Sequence, residues 1–119
     1  MNHKNSTYLL SSLFIFILFT SFPFSYGDVG TVSVDSFDVN YNIENGIFDT
    51  IFLDPDFVEL ILTMDTTSDG TVEITIPRLL LDAKFDTIDD EFFVLVDGFE
   101  TDYAEIDSTY EYRTLVIPF

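Results

Sequence analysis

An all-β fold, a two-sheet immunoglobulin-like β-sandwich with one short helical turn near residues 77–83, is what this sequence of 119 residues predicts. Three observations predict it. Apolar residues recur with a period of two along most of the chain, the signature of half-buried strands. The dipeptides Asn45-Gly46, Asp69-Gly70 and Asp97-Gly98 supply positive φ at little steric cost and punctuate the apolar runs as tight turns do. No stretch after residue 27 carries the spacing of a long amphipathic helix. Seven or eight short strands with frequent turns are the pattern of a sandwich.

The first 27 residues stand apart from that domain. "MNHKNSTY" is a polar leader whose positive charges are Lys4 and the amino terminus. "LLSSLFIFILFTSFPFS" is an apolar run broken only by small hydroxyl residues and Pro23, and "SYG" supplies the small Ser25 and Gly27. That order predicts a secretory signal peptide over 1–27, cut between Gly27 and Asp28. A retained membrane anchor fits less well. The uninterrupted apolar part falls short of the ~20 residues that cross a bilayer, and Pro23 disfavours a helix through its end. Residues 28–119 then form a single domain, secreted or at the cell surface.

Within that domain each element has its own warrant. In "FDVNYNI", Phe37, Val39, Tyr41 and Ile43 share one face and Asp38, Asn40 and Asn42 the other. The apolar parity switches between "TVSV" and "FDV", which predicts a bulge or a change of sheet near Asp35. "VELILTM" is fuller on the face of Val58, Leu60, Leu62 and Met64. "TVEITIP" alternates Val72, Ile74 and Ile76 with Thr71, Glu73 and Thr75. In "PRLLLDAK", Pro77 can open a helical turn, and Leu79, Leu80 and Leu81 are too crowded for a surface strand. "FFVLV", Phe92 to Val96, is apolar on both parities and predicts a strand covered on both faces.

Charge bounds the partners. The formal net charge is −18, and the 22 carboxylates of residues 28–119 face only Arg78, Lys84 and Arg113. Such a field repels nucleic-acid phosphates and anionic lipid and attracts cations and basic protein surfaces. Membrane contact is expected only through the leader, if it stays uncleaved. The abundant Phe, Tyr, Val and Ile argue against acidic disorder.

Composition also bounds the chemistry. There is no cysteine, and the one histidine, His3, lies in the leader. That removes histidine-assisted serine hydrolysis, cysteine nucleophiles and the usual zinc, haem and iron–sulfur ligation. Glycines isolated in turns exclude a phosphate-binding loop. Carboxylate pairs for glycoside cleavage remain available, but with 22 acids any spacing arises by chance. A domain this small has little structure to spare for a cleft, so no enzyme is expected and no catalytic residue is assigned.

No cofactor is expected, and oxygen ligation of a hard cation, calcium, is the chemistry left open. "DTTSDG" at Asp65 begins like a calcium loop, but its twelfth place is Ile76 rather than a bidentate Glu. "DTIDDE" is better, with Asp86, Asp89, Asp90 and Glu91 in one connecting segment, and "LDPD" adds Asp54 and Asp56. Where those loops meet at one end of the sandwich they would make a calcium site of the weak extracellular kind. The simpler reading of the run is a solvated loop that keeps the protein soluble. Arg113, beside Tyr112, is expected to stack or to pair with an acid. Tyr103, Tyr110 and Tyr112 make a poor carbohydrate platform without any Trp.

Some of these segments are familiar as a set. "TVEITIPRLLLDAKFDTIDDEFFVLVDGFETDYAEI" followed by "RTLVIPF", about half the chain, resembles a domain of predicted secreted proteins of ammonia-oxidising archaea. Those proteins commonly end in a PEFG-type C-terminal sorting signal. The resemblance implies a surface-associated β-sandwich and brings no catalytic residues with it. Members usually continue past the "IPF" position into another strand, whereas this sequence stops at Phe119 without the sorting tail. An open sheet edge is therefore expected, and open edges invite strand addition from another extracellular or surface protein. The resulting expectation is a non-enzymatic exported interaction or structural module. Its alternative is a calcium-dependent extracellular binding domain, with glycan among its ligand classes.

Overall fold

The computed structural model describes residues 3–9, 13–19 and 27–119, with side chains described from residue 27 onward. Its strands are β1 (His3–Leu9), β2 (Leu13–Phe19), β3 (Gly27–Val34), β4 (Phe37–Asp54), β5 (Glu59–Pro77), β6 (Lys84–Phe85), β7 (Ile88–Asp89), β8 (Leu95–Val96), β9 (Phe99–Glu100), β10 (Ala104–Ile106) and β11 (Tyr112–Pro118). Among the described residues there is no helix, so the fold is all-β. Five strands form an antiparallel sheet in the order β3-β4-β5-β11-β10. The hairpin β1–β2 joins β5 in parallel through Leu18↔Asp65 and Phe19↔Thr66. Pro23, Ser25 and Tyr26, which shape the expected leader's end, lie outside the described residues.

The parity switch at Asp35 is a hairpin rather than a bulge. Val34 pairs with Phe37 across the two-residue turn Asp35-Ser36, whose φ angles are 47° and 70°. An antiparallel pair joined this way sets even positions of one strand beside odd positions of the next, so apolar parity must flip.

Two of the three expected glycine turns are corrected in a related way. β4 and β5 run straight through Asn45-Gly46 and Asp69-Gly70, and the two dipeptides meet at one irregularity in the ladder. Pairing steps from Glu44↔Thr71 to Gly46↔Thr66, leaving Asn45, at φ 61°, opposite residues 67–70. Asn45 Nδ2 donates to the Asp69 carbonyl at 2.8 Å, and Thr67 Oγ1 donates to the Asn45 carbonyl at 3.2 Å. Gly70 is needed for close approach: a Cβ there would collide with the Glu44 carbonyl. Phe119 closes the same corner by exchanging backbone hydrogen bonds with Gly70 at 2.9 and 3.2 Å. Only Asp97-Gly98 is a tight hairpin turn, between β8 and β9, with φ 57° and 82°.

The core lies on one face of the sheet. Val39 and Ile43 of β4, Val72, Ile74 and Ile76 of β5, and Leu115 and Ile117 of β11 are all fully buried there. The long segment between β5 and β10 covers them with Leu80, Leu81, Ala83, Phe92 and Val94. Each such aliphatic side chain contributes about 1.5–3 kcal/mol when fully buried. In place of the expected helical turn at 77–83 there is a single non-helical turn, in which the Pro77 carbonyl accepts from Leu80 N at 3.0 Å and Leu81 N at 3.1 Å. It goes no further because the Asp82 carboxylate takes the Ala83 N–H at 2.8 Å. Likewise "FFVLV" buries Phe92 and Val94 but is a strand only over β8.

Candidate functional site

Polar side chains converge where the covering segment meets β11. Arg113 shares the inward face of β11 with Leu115 and Ile117, opposite Ile76 on β5, and is 2% exposed. A charge at that depth is tolerable only if every donor finds an oxygen. Nε and Nη2 donate to the two oxygens of Glu105, at 3.1 and 2.7 Å. Nη1 donates to Asp82 Oδ1 at 3.1 Å and the Ala83 carbonyl at 2.9 Å, and Nη2 also reaches the Asp90 carbonyl at 2.8 Å. The guanidinium lies over the Phe92 ring, 4.4 Å from its centroid.

Arg78 forms the second anchor. It grips Asp89 with both terminal nitrogens, at 2.7 and 2.9 Å, and donates to Asp82 at 3.1 Å and the Thr109 carbonyl at 2.8 Å. Asp82 is thus shared by both arginines. Its hydrogen bond to Arg78 holds the Asp89 carboxyl below the usual carboxylate range, and Arg113 does the same for Glu105. Burial opposes the charge on Arg113, but its bonds to Glu105 and Asp82 outweigh it and raise its pKa. Above this network lies a cleft of about 430 Å³ lined by Asp89, Asp90, Glu91, Tyr103, Glu105 and Arg113 among others. Its arginine has no donor left for an anionic ligand. Its two lowered acids hold no proton near neutrality, as a general acid must.

The six sequence-selected calcium ligands fall in two places. Asp54 and Asp56 flank the turn before β5, where Asp54 Oδ1 accepts from Asp56 N at 3.0 Å. Asp86, Asp89, Asp90 and Glu91 follow the opposite end of β5. Asp86, at φ 56°, makes the β6–β7 turn, and Asp89 belongs to Arg78. The Asp90 carboxylate receives the Glu91 N–H at 2.8 Å, and its own N–H donates to the Ala83 carbonyl at 2.9 Å. Among the described residues, no group of three or more acidic side chains is arranged to hold a metal ion. Gly27 and Asp28, the expected cleavage pair, begin β3 opposite Glu44 and Ile43. Asp28 Oδ2 accepts from Phe48 N at 2.9 Å.

Sequence reasoning missed Asp82 and Glu105. The four-residue spacing of Arg78 and Asp82 was a usable signal for the first. Glu105 needs the β10–β11 register, which pairs it with Leu115 beside Arg113.

A second polar feature lies where β2 joins β5. Asp65 Oδ1 and Thr66 Oγ1 are buried with no hydrogen-bond partner among the described residues. Burial, then the neighbouring Asp49 charge, raises the Asp65 carboxyl. Burial and Asp54 do the same for Glu59. No protein-family model, curated protein or solved structure matches this chain.

Proposed function

We propose that residues 28–119 act, once exported, as a non-enzymatic interaction or structural module that engages other extracellular or surface proteins by strand addition. The observation that carries this reading is the outer edge of β3. This eight-residue strand pairs with β4 on one side and with no described strand on the other. Its register is unbroken, and it contains no Lys and no Pro, the devices that usually protect an edge. β11, the last described strand, has β5 and β10 on either side.

Two features support export with cleavage before Asp28. Residues 1–27 follow the order of a signal peptide. The orphaned oxygens of Asp65 and Thr66 lie at the pairing with β2, a poor polar match for a permanent partner. An immunoglobulin-like pair of layers belongs to the same reading, with the antiparallel sheet as one layer and the segment from 78 to 103 as the other. So does kinship with the archaeal surface domains.

Expression of the full chain in an export-competent host, followed by mass spectrometry of the recovered protein, tests the proposal. Protein outside the cytoplasm beginning at Asp28 is the expected result. Retention inside with residues 1–27 intact would sink it. A melting temperature raised by millimolar calcium beyond a sodium chloride control of equal ionic strength would favour the calcium-dependent alternative.

A further inference from the structure

We infer that the strand received by the β3 edge is β3 of a second copy of this chain, running antiparallel about a two-fold axis at Thr31. The inference rests on the reading of β3 as an augmentable edge and names its occupant. Every second residue of an edge strand turns its N–H and C=O away from the sheet, so the main chain of β3 can accept any extended strand. Charge decides which one. The chain carries 22 acidic residues, yet "GDVGTVSV" contains one, Asp28, whose carboxylate is engaged by the Phe48 N–H.

Two copies can therefore meet along β3 without opposing carboxylates. The sheet faces remain continuous only if paired residue numbers have an even sum, because side chains alternate. Centred on Thr31, the register sets Asp28 opposite Val34 of the second copy, Val29 opposite Ser33, Gly30 opposite Val32, and Thr31 opposite itself. Val29, 74% exposed in the single chain, gains a neighbour, and a Thr–Thr pair is favourable across strands.

The test is sedimentation of the exported protein over a range of concentration and salt, with Thr31→Lys and Thr31→Glu. Thr31 is exposed and in mid-strand, so unchanged far-ultraviolet circular dichroism will confirm that each variant folds. The wild type is expected to dimerise, more tightly as salt screens the net charge. Each variant places two like charges face to face and should weaken dimerisation roughly tenfold or more. An equimolar mixture should regain it as the mixed dimer. Thr31→Lys lowers the net negative charge, so its failure to pair cannot be ascribed to added repulsion between whole molecules.

Dimers that persist in both variants overturn the inference by placing the interface elsewhere. A wild type that remains monomeric at millimolar concentration overturns it as well. In that monomer, a basic peptide of Lys-Val-Thr-Val repeats separates the two ideas. Protection of the β3 amides from hydrogen exchange would leave the augmentable edge standing without self-pairing, and no protection would remove both.

Discussion

The Arg113 guanidinium holds three segments at once: residues 82–83, Asp90 and Glu105 all lie on its five N–H groups. An ammonium cannot reproduce that fork, since it offers three donors from one point. Arg113→Lys should cost about 2 kcal/mol. Arg113→Met, which leaves the Glu105 carboxylate without its cation and takes donors from Asp82 and from the Ala83 and Asp90 carbonyls, should cost about 3–5 kcal/mol, measured by urea unfolding. Equal stability of wild type and Arg113→Met would show that the network is not structural. The residue was partly legible. Its pairing with an acid was expected, but its burial was not, although Arg113 has the inward parity of Leu115 and Ile117. Which acid it meets depends on contacts between distant segments, and no local pattern encodes those. The run at 86–91 shows the same limit from the other side. It is exposed as expected, but Asp89 is engaged by a cation eleven residues earlier.

At the scale of the element, turn chemistry located irregularities correctly and misnamed two of them. Asn-Gly and Asp-Gly report a need for positive φ or close approach, and both a hairpin turn and a bulge satisfy that need. Sequence distinguishes them only when strand length is known, and β4 and β5 are each far longer than an ordinary strand. Alternation gave the buried faces of β4 and β5 because one side of the sheet is consistently covered. The same reasoning overextended "FFVLV", where burial comes from lying across a sheet rather than within one. Gly70 carries the sharpest prediction at this scale. Gly70→Ala should lower the melting temperature by at least several degrees in a calorimetric scan, because the added Cβ meets the rigid Glu44 backbone. Gly98→Ala, where a Cβ has open space but φ is 82°, should lower it by less.

Across the whole molecule, two kinds of carboxyl respond oppositely to acid. Glu59 and Asp65 have raised pKa values in the folded chain, so their contribution is present at low pH and is lost as pH rises through those values. Asp89 and Glu105 have lowered ones, so theirs is present above the ordinary carboxylate range and is lost as pH falls through the lowered values. Net repulsion from a formal charge of −18 also fades on mild acidification. Stability of the full chain should therefore rise from neutrality toward pH ~5 and collapse below pH ~3, bracketing the usual carboxylate values near 4. Added sodium chloride should flatten the first limb more than the second, since exposed charges are screened more than paired ones. Thermal melts across pH at two ionic strengths read both limbs. A stability that falls steadily from pH 7 to pH 5 would contradict the assignment.

The sharing of Asp82 between Arg78 and Arg113 has a consequence for proteolysis. Within residues 27–119 trypsin has three cleavage points, and two are basic side chains locked in ion pairs at 14% and 3% side-chain exposure. Lys84, exposed in the β6–β7 hairpin, is the third. Native digestion should then nick this region once, after Lys84. The two fragments should still elute together, because Arg113 of the later piece grips Asp82 and Ala83 of the earlier one.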